Sequence, residues 1–206
     1  WTPQDQNPNS LNIRGKVQSY AFSITNSDYV EIRGLEFFGT TFHFDNSDYS
    51  AVENCNLWYP SCHKRMLGVI NTQPEMSVFR SSSNCKVSKS AFRYTDGSAL
   101  EMYSHNNIIE DCYFYHIDYS VTDLNSLMTT IQMGGANNII RRNTMHKLGA
   151  SATLNPGDAG LITLNNISDT GHMQGDGAMV QIMTGQSPGT EISYNWLHSS
   201  VKYGAR

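Results

Sequence analysis

The chain has 206 residues, enough for one domain with a sizeable core. Only 39% of the residues are apolar and 16% are charged, which is typical of many short strands joined by polar turns and argues against a helical bundle. A net charge of −4 without a long basic run gives no support for nucleic-acid binding, and no apolar stretch approaches the roughly 18 residues that a membrane span needs.

The N-terminal segment, residues 1–19, is polar and contains two prolines, so we expect an entry loop there. From residue 20 to residue 206 there is no linker and no change of composition, which predicts a single repeat domain. The chain opens on Trp1 with no signal-peptide pattern, so we expect either a processed mature protein or a fragment cut from a longer one. The closing residues 202–206 resemble the start of another strand, and we therefore expect the chain to be a fragment of a longer repeat protein.

Seven six-residue segments, here called hexads, share one pattern. Position 1 is always Ile or Val, position 6 is large and apolar, and position 4 is mostly a small or amide residue. The hexads begin at Ile32, Val52, Val87, Ile109, Ile140, Ile162 and Ile192. Their spacings of 20, 35, 22, 31, 22 and 30 residues fall in the range of solenoid repeats. Strands this short cannot bury an apolar face alone, so they must stack on their neighbours.

Strand geometry predicts that positions 4 and 6 face the core, that positions 5 and 7 face solvent, and that a bend separates position 1 from position 4. A second strand precedes many hexads, as at 21–24, 99–102, 130–133 and 179–182. We therefore expect coils of two or three strands, about 4.8 Å apart. The recurring side-chain register without hairpin signals favours parallel stacking over a sandwich. The longer spacings predict loops at 58–80, 115–130 and 168–180, on alternate coils.

The hexads and their amide column, Asn143, Asn165 and Asn195, resemble right-handed parallel β-helix proteins of the pectin-lyase-like superfamily over residues 20–206. The segments 174–181 and 189–198 are similar to bacterial β-helix proteins grouped with polysaccharide lyases and glycoside hydrolases. The resemblance implies an all-β right-handed parallel β-helix solenoid of about seven to eight coils. It also implies a secreted or periplasmic monomer whose partner is a polysaccharide. The superfamily includes lyases, hydrolases, epimerases and adhesins, so the activity must be argued from individual residues.

The four cysteines divide by position. Cys55 and Cys112 occupy hexad position 4, where we expect them to pack in the core as small apolar side chains. Cys62 and Cys85 bracket most of one long loop and could form a disulfide. No paired Cys or His spacing predicts a zinc site.

Position 7 of the hexads is rich in aromatic and imidazole side chains. The column reads Phe38, Trp58, Arg93, Tyr115, His146, Ser168 and His198. These residues could simply cover the edge of each strand, or they could form a groove for a linear glycan, and the two interpretations are compatible. On the second interpretation, Trp58, Tyr115, His146 and His198 bind substrate.

The strand before each hexad also carries outward polar residues, namely Ser23, Glu101, Gln132 and Gln181. Two of these strands follow an Asp-Gly pair that contains Asp96 or Asp176, which is either a turn signal or a carboxylate beside a groove. Glycoside hydrolysis needs two carboxyl groups. We predict that the catalytic set is Asp176, His172, Asp158 and Glu101, with Asp176 first and Asp158 as its partner. Asp96, Gln132 and Gln181 are predicted to contact sugar.

A polysaccharide lyase would instead need a cation or Ca²⁺ to neutralise a uronate carboxylate, together with a base. Lys202 and Arg206 could hold an anionic substituent, and the turn residues Asp28, Asp45 and Asp48 could bind Ca²⁺. We favour a glycoside hydrolase of an acidic or sulfated glycan that needs no cofactor. The alternatives are a lyase, for which Ca²⁺ is possible, and a non-catalytic adhesin or structural β-helix.

Overall fold

The computed structural model describes residues 7–10, 18–61, 76–119, 129–149, 152–173, 178–182 and 187–201. A short 3₁₀ turn (Pro8–Ser10) precedes twenty strands in these residues. In chain order they are β1 (Tyr20–Thr25), β2 (Glu31–Arg33), β3 (Glu36–Phe38), β4 (Thr41–Asp45), β5 (Ala51–Glu53), β6 (Asn56–Trp58), β7 (Ser77–Arg80), β8 (Lys86–Ser88), β9 (Ala91–Arg93), β10 (Leu100–Tyr103), β11 (Ile108–Glu110), β12 (Tyr113–Ile117), β13 (Thr129–Gly134), β14 (Ile139–Arg141), β15 (Thr144–Leu148), β16 (Ala152–Asn155), β17 (Leu161–Thr163), β18 (Asn166–Thr170), β19 (Glu191–Ser193) and β20 (Trp196–His198).

The strands form three parallel sheets, and successive strands visit the three sheets in turn. Sheet A runs β1-β4-β7-β10-β13-β16, sheet B runs from β2 to β19, and sheet C runs from β3 to β20. One A strand, one B strand and one C strand make a coil, so β1, β2 and β3 are coil 1. Six coils are complete, and coil 7 contains β19 and β20 with a parallel bridge from Val180 to Leu154 in sheet A. The chain is a parallel β-helix with the predicted number of coils.

The core lies inside the coils and is built from hexad positions 1, 4 and 6, which are buried throughout coils 2 to 6. Phe92 and Phe114 are fully buried and stack with ring centroids 5.0 Å apart, as the prediction requires. The prediction is wrong at both ends, because Leu35, Ile192 and Leu197 are 41 to 44% exposed. A side chain in an end coil has a neighbouring coil on only one side among the described residues, so it stays partly in water.

A tight bend between sheets B and C explains how position 1 can face inward. Hexad position 3 has a left-handed φ in every coil, at Gly34, Asn54, Lys89, Asp111, Arg142, Leu164 and Tyr194. Most of these residues carry a Cβ, for which this conformation costs free energy. Stacking compensates part of that cost: for example, the N–H of Asn54 donates to Ser88 O (3.1 Å) and that of Lys89 to Glu110 O (3.1 Å) in the following coil.

Position 4 forms a ladder through the same bend. The side-chain oxygen of Asn165 accepts hydrogen bonds from the backbone N–H and Nδ2 of Asn143, both 3.0 Å. Its own Nδ2 donates to Ile140 O (3.0 Å) and Asn195 Oδ1 (2.9 Å). The amides therefore bond to their copies in the next coil, as the sequence predicts.

The cysteines of the column and its neighbourhood are buried free thiols. Cys55 and Cys112 occupy position 4 as predicted, and burial raises the pKa of the Cys112 thiol to about 12. Cys85 is also a free thiol, with its pKa raised to about 11 by burial, and its possible partner Cys62 lies outside the described residues. The free thiol of Cys85 therefore gives no support for the disulfide considered from sequence.

Replacing the central amide should cost more than replacing the last one. Asn165→Leu removes the acceptor for the buried N–H of Asn143 and a donor to the carbonyl of Ile140, so we expect the free energy of unfolding to fall by about 2 to 4 kcal/mol. Asn195→Leu is the matched control, because its site is only partly buried and water can replace the lost bonds, with an expected loss of about 1 kcal/mol. Urea unfolding of both variants checks this, and equal losses would contradict it.

The connections that vary most in length lie at one corner of the solenoid, where each coil passes from sheet C to sheet A. Residues 59–76, 118–128 and 171–179 make long connections there, and residues 39–40, 94–99 and 149–151 make short ones. Long and short connections alternate from coil to coil, as the hexad spacings predict. The outer faces of sheets A and C border this corner, while sheet B does not.

Candidate functional site

The outer face of sheet B is occupied by ion pairs between coils. Glu110 accepts contacts from Lys86, Arg141 and Arg142, and Glu53 pairs with both Arg33 and Lys89. Burial alone would raise the pKa of Glu110, but hydrogen bonds from Lys86 and Arg141 outweigh it and lower the pKa to about 2. These cations are satisfied by neighbouring carboxylates, so this face holds the stack together and offers little to a ligand.

The outer face of sheet A carries two rows of polar side chains. Parallel register aligns Val78 of β7 with Glu101 of β10, and Glu101 with Gln132 of β13. Two residues further along the strands, Arg80 aligns with Tyr103. Because alternate strand residues share a face, all four polar residues point to the same side.

Glu101 is the chemically distinctive residue of this face. Burial raises the pKa of its carboxyl group, and the opposing effects of a hydrogen bond from Tyr103 and of the Arg80 charge do not cancel that rise. Glu101 therefore holds its proton at higher pH than an ordinary glutamate. Burial and the Glu101 carboxylate likewise raise the pKa of Tyr103, which keeps the phenol a neutral donor.

The strand β4, which pairs with β7 on the side away from β10, adds an imidazole and a second carboxylate. His43 and Asp45 lie on β4 and align with Val78 and Arg80. Burial, followed by the positive charge of Arg80, lowers the pKa of His43, although Asp45 acts in the opposite direction. The imidazole is therefore biased toward its neutral form. Sheet A thus brings a proton-retaining carboxyl, a second carboxylate, a phenol, a guanidinium and an imidazole to three neighbouring strands.

The residues predicted on sheet A lie where the alternation places them. Gln132 neighbours Glu101, and Gln181 follows the bridge residue Val180 beside β16, three strands from β10. Asp96 lies in the short connection before β10.

Asp158 lies elsewhere. It is exposed in the turn from β16 to β17, between sheets A and B, where its N–H donates to Gly135 O (2.7 Å). That turn is not the sheet C to sheet A corner to which residues 171–179 belong. Asp176, its predicted partner, lies outside the described residues, as do Lys202 and Arg206, so the roles of these residues stay predictions.

The remaining predicted residues lie on a different face. Trp58, Tyr115, His146 and His198 are outward residues of sheet C, on β6, β12, β15 and β20. His172 follows β18, and its Nε2 lies 3.0 Å from Asp169 Oδ1. The sequence groups these side chains with Glu101 and Gln132, whereas the fold separates them into two surfaces on either side of the loop corner.

A family model described as a right-handed β-helix region matches residues 77–206, more than half of the chain. The chain belongs to this family. No curated protein and no solved structure matches the chain. Membership in the right-handed β-helix family confirms the predicted fold and handedness. Because a fold of this kind hosts many functions, membership by itself does not identify a reaction.

Within the described part of this β-helix protein, neither a metal-binding cluster nor a membrane-spanning helix is seen. No group of three His, Cys, Asp or Glu residues could hold a metal ion. Asp28 and Asp48, considered as Ca²⁺ ligands, have a turn role instead: Asp28 Oδ1 accepts the N–H of Asp48 (2.8 Å), and Asp48 Oδ1 that of Ser83 (2.7 Å). No helix there is long and apolar enough to cross a bilayer.

Sequence reasoning missed four residues of the sheet A face, namely His43, Asp45, Arg80 and Tyr103. The alternation in β4, where two buried phenylalanines flank His43, was a usable signal. No local sequence signal indicated Arg80, because β7 follows a long connection and the register of β7 becomes evident only through its pairing with β4 and β10.

Proposed function

We propose that this β-helix protein hydrolyses the glycosidic bonds of an acidic or sulfated polysaccharide on the outer face of sheet A. The observation that carries the proposal is Glu101: a carboxyl whose pKa burial raises, beside a phenol and a guanidinium, at the corner where the long connections lie. A carboxylic acid that keeps its proton is what a glycoside hydrolase uses to protonate the leaving oxygen.

The second carboxylate in this proposal is Asp45. It lies two strands from Glu101 and two residues further along, which corresponds to about 12 Å between Cα positions, and Arg80 is on the strand between them. The carboxyl groups of inverting hydrolases are roughly 6.5–9.5 Å apart, so in this proposal the two side chains lean toward each other, and the roughly 5–5.5 Å of a retaining enzyme is further from what the backbone positions allow. Asp45 would take a proton from water as that water attacks the anomeric carbon. Glu101 would give its proton to the departing sugar oxygen, and solvent would restore both groups.

The neighbouring polar groups suggest the kind of sugar. Arg80 is exposed beside Glu101 and Tyr103, where it can hold a carboxylate or sulfate substituent. Gln132 is positioned to hydrogen-bond a hydroxyl group next to the acid. Asp176, Lys202 and Arg206 remain further candidates on sequence grounds. A polymeric substrate of this kind also favours a secreted or periplasmic monomer.

One observation favours a second candidate, a polysaccharide lyase. His43 is biased toward the neutral imidazole, and Arg80 on the adjacent strand is a cation. Arg80 could neutralise a uronate carboxylate while His43 takes the proton from C5, the ring carbon that bears this carboxylate. Glu101 would then assist departure of the leaving group.

The two reactions, and a purely binding role, give different products. We expect incubation with acidic, sulfated and neutral glycans to yield new reducing ends without ultraviolet absorbance from one of the anionic glycans. Unsaturated, ultraviolet-absorbing products would establish the lyase instead. Binding without any product would contradict both and leave an adhesin.

A further inference from the structure

A continuous ladder of rings runs along the solenoid on sheet C and at its edge toward sheet A, where Tyr59 and Tyr94 directly follow β6 and β9. Phe38, Tyr59, Tyr94, Tyr115 and His146 follow one another, one per coil, from coil 1 to coil 5. Successive ring centroids are 5.6, 5.3, 5.7 and 6.0 Å apart. Their exposure is substantial, since Phe38 and Tyr59 are about half exposed. The ladder therefore presents a ring edge or face to solvent at each coil.

Two cations lie over aromatic rings of this face, one over rings beside the ladder and one over the ladder residue Tyr115. The Arg93 guanidinium lies 4.9 Å from the ring centroid of Trp58 and 5.5 Å from that of Tyr113, and Lys147 Nζ lies 5.8 Å from that of Tyr115. Among the described residues, neither cation forms an ion pair with a carboxylate. On sheet B, by contrast, the cations of the ion-pair ladder each contact Glu53, Glu110 or Asp111. Arg93 Nη1 donates to Asn56 Oδ1 (3.0 Å), which is a neutral partner, so no carboxylate of the described residues neutralises the positive charges of Arg93 and Lys147.

The middle of this face contains no acid. The strands β6, β9, β12 and β15 have no Asp or Glu at any position, although the whole chain has a net charge of −4. A protein that is acidic overall thus presents one aromatic and cationic stripe. Its charge is complementary to a polyanion, and its rings repeat at the coil spacing of about 4.8 Å, which fits an extended polymer rather than a small ligand.

We propose that the sheet C stripe, from β6 to β15, is a second binding surface for an acidic polysaccharide chain that lies along the solenoid axis. The ring faces of Trp58 and Tyr115 would cover the C–H surface of sugar rings, while Arg93 and Lys147 hold carboxylate or sulfate groups. This surface is separate from the sheet A face, and it binds whether or not Glu101 is catalytic. It would keep a polymer attached while another segment of that polymer occupies sheet A.

The test is equilibrium binding by titration calorimetry, with the full chain carrying Glu101→Gln so that turnover does not consume the ligand. The probes are polygalacturonate, a sulfated galactan and a neutral galactan. The double variant Arg93→Gln/Lys147→Gln should bind the better anionic probe at least about tenfold more weakly, the scale of two charge-assisted contacts. Comparing carboxylated and sulfated probes identifies which anion the stripe prefers.

A matched control exists on sheet B. The variant Arg33→Gln/Lys89→Gln also removes two positive charges, but from side chains that already contact Glu53. It should change the affinity for the anionic probe by less than about twofold. Thermal unfolding of all variants verifies that the fold is retained. If both double variants weaken binding equally, only the net charge matters and the proposal is wrong. It is also wrong if the parent chain binds none of the three probes, in which case a protein partner becomes the occupant to seek.

Activity measured separately keeps this proposal distinct from the hydrolytic one. With Glu101 intact, Arg93→Gln/Lys147→Gln should raise KM for long chains and leave turnover of short oligosaccharides unchanged. Loss of turnover on short oligosaccharides would mean that the stripe is part of the reacting site, which contradicts a separate surface.

Discussion

Glu101→Gln is expected to lower turnover of the cleaved glycan at least about 100-fold, the scale for the loss of an acid–base group. The amide keeps the shape of the side chain and can still accept the hydrogen bond from Tyr103, but it cannot donate an acidic proton. The far-ultraviolet spectrum and the unfolding midpoint should stay close to those of the parent. Initial rates of reducing-end release provide the measurement.

The pH profile of kcat/KM gives the same prediction an independent check. Glu101 must be protonated to act as an acid, so activity should persist below its pKa and disappear as the pH rises through it. Because burial raises that pKa, the alkaline limb should lie above the range of an ordinary glutamate. Asp176→Asn is the companion variant. Full turnover in Glu101→Gln together with a loss in Asp176→Asn would move the reacting site to residues 174–177.

Phe114→Ala is expected to reduce the free energy of unfolding by about 3–5 kcal/mol. The ring is fully buried and stacks against Phe92, so its removal leaves a cavity between coils 3 and 4. The hydrogen-bonded ladders fix the spacing of the coils and prevent the backbone from closing this cavity. Phe38→Ala is the matched control, because the same atoms are removed from a half-exposed ring, and it should cost about 1 kcal/mol or less. Chemical unfolding of both variants provides the comparison, and similar losses would contradict a core organised by coil.

The sequence predicted the scaffold well because every coil repeats the same physical problem. Each hexad must bury positions 1, 4 and 6 and bend once between sheets B and C, so seven imperfect copies define one register. Where the copies differ in surroundings, prediction failed: Ile192 satisfies the pattern but is exposed, since burial depends on a stacked neighbour and not on the residue itself.

The candidate site was predicted only in part, for a related reason. Glu101 and Gln132 stand between buried apolar residues, so alternation alone indicated that they face outward. Which residues join them depends on lateral pairing between strands that are far apart in sequence. The pairing of Arg80 with both Asp45 and Tyr103 is set across a long connection, and no local pattern encodes it. The sequence placed Trp58 and His146 on a different strand of the coil from Gln132, but only the closed coil shows that the two strands form surfaces on either side of the loop corner.

The corner between sheets C and A, where connections of very different length emerge, has a consequence for how such a protein can diversify. A segment inserted there begins and ends at backbone positions fixed by the same inter-coil ladders, whatever its length. Lengthening a loop costs little extra closure entropy, about 0.6 kcal/mol for each doubling. The length of segments 59–76, 118–128 and 171–179 can therefore change without disturbing the strand register, provided that residues next to the strands, such as Tyr59, Asp118 and Gly171, keep their hydrogen bonds to neighbouring coils. New substrate preferences can arise at this corner one coil at a time.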